Sequence, residues 1–372
     1  MSYLYLLFSG ISLTSKLGVI VFWLSIPVIF FYCFGVSLLY NRKVHKKYFI
    51  MVIWSVFFIL MAGLSGYFLD DFNSRVISNV YLSLVGLFMA LVFYNRGNSS
   101  NDKSFITAIK ITISINLCAF YIQFVSFYLF HYIIDYNLLS GGLGGRFYWG
   151  DLFRAAGFFD EPAVYSLHMV ALTVMLYMQE RKFSILIIVT LLSLLLSFSF
   201  IAIFQAMILS LLFIKNKRGL LVPLVVCLVV ALLFKDNIYE RYLQFVSGGD
   251  GSNNTKLDTI YNLFQGVKWL YGYGLVGYSQ SFPLYYQGLY DLTFWGANIS
   301  LYGIVLGLII NVTVLFFLLK FTMRDFLLIN VVLLKLSTPT YGIYFCFLFF
   351  LLWYKQNMVI RDAKNISFNG DK

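Results

Sequence analysis

The stretch Arg154-Ala155-Ala156-Gly157-Phe158-Phe159-Asp160-Glu161-Pro162-Ala163-Val164-Tyr165 closes a charged loop and opens an apolar run. Pro162 suits the first turn of a helix, where its missing N–H is no loss. Asp160 and Glu161 then stand just before or at that helix N-terminus, where negative charge is favoured. A capped helix start behind a solvated loop accounts for Asp160 and Pro162. It does not account for Arg146 and Arg154 sharing so short a loop, which a functional loop would explain.

Working outward, the rest of the chain is mostly apolar. Of 372 residues, 60% are hydrophobic and 12% charged, with a mean hydropathy of +0.82. Soluble domains carry roughly 25% charged residues. The expected class is all-α: a polytopic integral membrane helical bundle in a single transmembrane domain. Net charge is +11, which in this class marks cytoplasmic loops. No basic patch interleaved with polar residues points to a nucleic-acid partner. Cys33, Cys118, Cys227 and Cys346 all lie in apolar runs and read as small hydrophobes. The N-terminus has no basic n-region or small-residue cleavage site, so no cleaved signal peptide is expected.

In chain order, residues 3–13 are too short for an ordinary helical span and read as interfacial or re-entrant, or as a short crossing. Spans follow at 17–40, 48–67, 76–94, 104–132 and 163–178. The run 183–214 is too long for one crossing and splits at Ser197-Phe198-Ser199. Later spans fall at 219–234, 294–319, 326–337 and 341–354. The count is about eleven spans, or about twelve if residues 3–13 cross. Most of the 27 Lys and Arg residues then fall on one side, in loops such as 41–47, 179–182 and 215–218 and in the tail 355–372. The positive-inside rule makes that side cytoplasmic. Two long loops, 135–161 and 235–290, land outside.

Within the second outer loop, 238–246 reads as a short helix carrying Arg241, and 248–254 as a turn cluster. Thr255 and Asp258 have capping-box spacing. Leu257, Ile260, Tyr261, Phe264, Val267 and Tyr271 repeat at helical intervals, so 256–270 is expected as an amphipathic helix on the membrane surface. Tyr271-Gly272-Tyr273-Gly274 breaks that helix and lets the backbone approach something closely. The tyrosines around it read either as an interfacial aromatic belt or as a platform for sugar rings. Lys110 and Lys335 are cations at or within spans, which makes each a functional candidate. His168 lies inside a span and reads as a hydrogen-bonded interior residue or a ligand. Asp70-Asp71 reads as a solvated turn or a metal site.

The run Arg154-x-x-Gly157-x-x-x-Glu161-Pro162 resembles the first outer-loop motif of the bacterial O-antigen, capsule and exopolysaccharide repeat-unit polymerases (the Wzy type). The serine break Ser197-Phe198-Ser199 and the second-loop Gly272-Tyr273-Gly274 are similar to that family's pattern as well. The resemblance implies a membrane glycosyltransferase that uses an undecaprenyl-diphosphate-linked oligosaccharide donor and acceptor. It would face the periplasm in the bacterial inner membrane; the sequence holds no strong metal motif, so the transfer is expected to need no cofactor or metal. A chain-length regulator protein and membrane lipids are its implied partners. Family members often carry an arginine in the second loop where this chain has Lys256, so either Lys256 or Arg241 takes that role. A diphosphate leaving group needs cations, for which Arg146, Arg154, Arg241, Lys256 and Lys335 are candidates, and Tyr271, Gly272, Tyr273 and Gly274 would help bind substrate. The acceptor hydroxyl needs a base: Glu161 first, Asp160 second, His168 third. A ligase of finished glycan, or a flippase of lipid-linked units, are the alternatives.

Overall fold

A computed structural model describes residues 46–68, 74–95, 102–139, 144–149, 152–213, 251–276 and 282–370, with isolated positions between 232 and 247. The expected spans at 17–40 and 219–234, the segment 3–13, the Asp70-Asp71 pair and Arg241 lie outside the described residues. The described chain is helical apart from one short hairpin. Its elements are α1 (Lys46–Phe68), α2 (Ser74–Asn95), α3 (Asp102–Phe130), α4 (Tyr136–Leu139), β1 (Tyr148–Trp149), β2 (Leu152–Phe153), α5 (Pro162–Glu180), α6 (Ile185–Leu196), α7 (Phe200–Phe213), α8 (Gly251–Leu263), α9 (Lys268–Tyr271), a 3-10 turn (Leu284–Gly288), α10 (Phe294–Leu318), α11 (Met323–Leu333) and α12 (Gly342–Gly370).

Helix α5 is the centre. Every residue from Val164 to Met178 is buried, as expected of a helix that is apolar all round. It packs against α3, α6, α7, α11 and α12. Pro162 stands at its first turn, and Arg181 closes it in the left-handed conformation with its N–H on the Tyr177 carbonyl. The break at Ser197-Phe198-Ser199 separates α6 from α7 as the sequence suggests. Phe198 sits at φ 49°, its N–H bonded to Leu195 O, while Ser197 Oγ bonds Leu194 O.

Charged and polar contacts gather at the two ends of this bundle. At one end, Arg181 grips the fully buried Asp325 of α11 through two 2.7 Å bonds and also meets Tyr354. Arg324 Nε donates to Leu212 O at 2.7 Å and so finishes the C-terminus of α7. Lys110 pairs with Glu180 at 2.6 Å. Between the ends the outward faces are apolar: Phe200, Phe204, Met207 and Leu211 form an exposed stripe on α7, and Val305, Ile309, Val312 and Phe316 another on α10.

Among the described residues two helices, Lys103–Phe130 and Phe294–Leu318, are long and apolar enough to cross a membrane. The second is not straight. Gly303 leaves helical geometry at φ 76°, ψ 171°. Asn311 Nδ2 reaches Trp295 O at 2.8 Å, and Asn298 Nδ2 reaches Asn311 Oδ1 at 2.8 Å. Residues 295 and 311 of a straight helix would stand about 24 Å apart. The chain therefore reverses at Gly303, and the expected span 294–319 is corrected to a hairpin whose longer arm, 304–318, measures about 22 Å. Helix α12 also runs on to Gly370, through the segment expected as a polar tail.

Candidate functional site

The segment ahead of α5 is held from below by α3. Gln123, buried on that helix, accepts from Ala156 N (2.7 Å) and Gly157 N (2.8 Å) and donates to Ile134 O (2.8 Å). Gly157 lies at φ +59°, and a Cβ there would come within 3.2 Å of Phe120 N. The glycine of the Arg-x-x-Gly motif is thus needed where the loop backbone rests on α3. Phe153 stacks on Phe127 at 4.2 Å. Arg146 N–H donates to Asp160 O (2.6 Å), and Arg154 N–H to Phe147 O (2.7 Å). Arg154 Nη2 reaches Arg146 O at 3.4 Å. Both arginines therefore help shape the loop.

Glu161 occupies the N-cap of α5, but its side chain makes no capping hydrogen bond. It faces Arg146 instead, at 3.7 Å. Asp160 does not cap either: its Oδ1 is buried with no hydrogen-bond partner among the described residues. Burial, followed by the neighbouring Glu161 charge, pushes the Asp160 carboxyl from 3.8 up to about 6, against an opposing pull from the backbone N–H of Asp160, from Arg146 and from the backbone N–H of Glu161. The capped-helix reading of this acidic pair does not describe the geometry.

The second segment is anchored differently from its sequence reading. Helix α8 begins at Gly251, so Thr255 is inside it rather than at its N-cap, and residues 251–254 are helical rather than a turn. The helix also stops at Leu263, short of the expected 270. Thr259 explains the placement: its Oγ1 lies 2.6 Å from both Thr255 O and Tyr285 O, and its single proton is shared between those two carbonyls. Gly288 packs beneath it, where a Cβ would lie 2.2 Å from Thr259 Oγ1.

Gly272-Tyr273-Gly274 threads between α10 and α1. Tyr273 N–H donates to Ser300 O (2.7 Å), Gly274 N–H to Leu301 O (3.1 Å), and Leu275 N–H to Ala62 O (3.0 Å). A Cβ on Gly272 would lie 2.3 Å from Leu301 O, and one on Gly303 2.1 Å from Leu270 O. The close approach read from the glycines is an approach to the reversal in α10. Tyr273 is buried, with its hydroxyl near Asn262 O and Leu263 O, so it offers no face to a sugar. Tyr271 is exposed.

These two segments meet over a cleft of about 560 Å³ at the end of the bundle opposite Arg181. Arg146, Asp160 and Glu161 line it from the first segment, and Lys256, Asp291 and Lys335 from α8, the turn before α10 and the end of α11. Asp291 bridges the two lysines: Oδ2 stands 2.8 Å from Lys256 Nζ, and Oδ1 contacts Lys335 Nζ. Burial alone would raise the Asp291 carboxyl, but Lys335 and Lys256 outweigh it and hold the group below its ordinary range. Ser337, Thr338 and Tyr341 also line the cleft.

Of the residues singled out in the sequence, the cleft collects Arg146, Asp160, Glu161, Lys256 and Lys335. His168 lies beneath its lining, bonded through Nδ1 to Val164 O at 2.9 Å and set between Phe159 and Tyr341. Arg154 stands behind Arg146. Asp291 and Gln123 were not anticipated. A carboxylate just ahead of an apolar helix, in a chain where Lys256 and Lys335 need a counter-charge, is the signal that could have found Asp291. No protein-family model, curated protein or solved structure matches the chain.

Proposed function

We propose that this chain is a multi-pass membrane glycosyltransferase that polymerises lipid-linked oligosaccharide repeat units, with its cleft at the periplasmic face of the bacterial inner membrane. Several features support the membrane reading. The 19 residues of α5 run about 28 Å from the acidic rim of the cleft at Glu161 to the Arg181 cluster, close to the ~30 Å hydrocarbon core of a bilayer. The outward faces between those ends are apolar, where a soluble protein would be polar. The Arg181 end gathers Lys110, Lys182, Lys320, Arg324 and Lys355, as a cytoplasmic end should.

The observation that carries the enzymatic reading is the cleft itself. It joins a buried carboxyl poised near neutrality to a set of cations, at the ends of apolar helices. In the proposed reaction, a hydroxyl at the non-reducing end of one lipid-linked unit attacks the anomeric carbon of the growing glycan. The bond from that carbon to the diphosphate oxygen breaks, and the lipid diphosphate leaves with the electron pair. The hydroxyl proton passes to Asp160, whose near-neutral pKa suits a base. Glu161, paired with Arg146, is the second candidate. Lys256, Lys335 and Arg146 stabilise the charge that develops on the diphosphate. A transporter would instead concentrate its ionisable groups at mid-membrane.

Deletion in the native host followed by glycan analysis tests the reading. A polymerase mutant leaves single repeat units attached to their final acceptor. Polymer stranded on the carrier lipid would mean a ligase, and units trapped in the cytoplasm a flippase.

A further inference from the structure

The polymerase reading leaves open how two lysines on separate elements come to act together on phosphate, and the inference here rests on that reading. Lys256 belongs to α8, while Lys335 follows the end of α11. Each is a compact charge on a flexible stem and does not form a defined anion seat unaided. Asp291 supplies the constraint: one oxygen takes Lys335, the other takes Lys256. The Lys335 side chain is 9% exposed, so it is fixed as well as neutralised. An ammonium has three donors. One on each lysine faces Asp291, which leaves the others for a ligand in the cleft.

We propose that Asp291 is the positioning residue of a two-lysine seat for the diphosphate of the lipid-linked substrate. It holds Lys256 and Lys335 at a fixed separation, so that two neighbouring phosphate oxygens can each find an ammonium. The rival role for Asp291 is plain neutralisation of buried positive charge. The two roles predict opposite signs. If Asp291 only neutralises, its removal leaves the cleft more positive and diphosphate binds more tightly. If it positions, removal lets the lysines drift, and diphosphate binds more weakly despite the added positive charge.

The test uses the full chain in lipid nanodiscs, with geranylgeranyl diphosphate as the probe, geranylgeraniol as the control for the apolar tail, and calorimetry as the readout. Asp291→Asn is expected to weaken diphosphate binding about 10-fold, in line with the loss of one charge-assisted bond. Lys256→Ala should then cost much less in the Asp291→Asn background than alone. Asp291→Glu keeps the charge but moves it by one methylene; positioning predicts several-fold weaker binding for it, and neutralisation predicts none, which decides the matter if Asp291→Asn folds poorly. Equal or tighter binding by Asp291→Asn, or a Lys256→Ala effect of the same size in both backgrounds, overturns the proposal. A wild-type protein that fails to prefer the diphosphate over the alcohol overturns the polymerase reading and this inference together. A wild type that does prefer it, with unchanged Asp291 variants, overturns this inference alone.

Discussion

Asp160→Asn should push activity and stability in opposite directions. Burial and Glu161 raise the Asp160 carboxyl from 3.8 to about 6, and each unit is about 1.4 kcal/mol, so the displacement corresponds to roughly 3 kcal/mol before solvent access reduces it. The sign follows from linkage. Between about pH 4 and pH 6 the folded protein holds a proton that the unfolded chain has released, so stability falls as pH rises through that window and stays lowered above it. At pH 7 a group with a pKa near 6 is about 90% ionised, so the wild type carries nearly the whole destabilisation. Asparagine has the same shape and no charge to bury. Asp160→Asn should therefore melt at a higher temperature than wild type at pH 7, with the advantage gone near pH 4. Loss of a base typically slows the reaction by about 100- to 10,000-fold, so the same variant should yield only single repeat units in a deletion strain complemented at native expression. Activity of the wild type in vitro should rise through pH 6 as the carboxylate forms. Glu161→Gln should be milder, because Glu161 is paired with Arg146 across 3.7 Å. Glycan gels and tryptophan-monitored melting read the two effects. Normal polymer from Asp160→Asn, or a lower melting temperature at pH 7, would refute the reasoning.

The remaining predictions concern topology and fold. Cysteines at Ser140→Cys and Ser252→Cys should react with an impermeant reagent from outside the cell, while Ser367→Cys should not; labelling of Ser367→Cys in intact cells would reverse the orientation. Gly303→Ala places a Cβ against Leu270 O at a left-handed position, and strain of this kind costs on the order of 1–3 kcal/mol before the clash is added; its yield of folded protein should drop sharply, whereas Gly266→Ala, with open space around its Cβ, should lose far less. Asp325→Ala strands Arg181 without its buried partner and should destabilise by about 3–5 kcal/mol, with Arg181→Met plus Asp325→Leu recovering much of the loss; equal melting of the single and double variants would contradict that account.

The architecture was legible where one residue decides one local event. Pro162 announced the start of α5, Ser197-Phe198-Ser199 announced the α6–α7 break, and the alternating glycines after Tyr271 announced a close approach. The sequence could not say what was approached, because Ser300, Leu301 and Ala62 are far away along the chain. The reversal at Gly303 escaped for a related reason: Gly303 is one of three glycines in an apolar run that reads as continuous helix, and only Asn298, Asn311 and Trp295 meeting across it show otherwise. Thr255 misled because its capping spacing is common, while Thr259, which fixes α8 through Tyr285 O, has no local signature. In the cleft, the charged residues of each segment were visible, but their pairing was not. Asp291 draws its importance from two lysines on other elements, and Asp160 from burial, and neither property is local to the sequence.

The helices α6, α7 and α11 have 12, 14 and 11 residues and are neighbours, α7 packing against both of the others. At 1.5 Å per residue they offer apolar lengths of only about 16–21 Å on that flank, against a hydrocarbon core of ~30 Å. On the proposed membrane reading, lipid beside this flank must thin or its headgroups must sink to meet the polar ends of these helices. Lys335 follows the end of α11, so the headgroup layer is drawn down toward the lysine side of the cleft. A carrier lipid diffusing along the leaflet would then present its diphosphate at the depth where Lys335 stands. Its polyprenyl tail would stay among the acyl chains, and no helix would need to part to admit it.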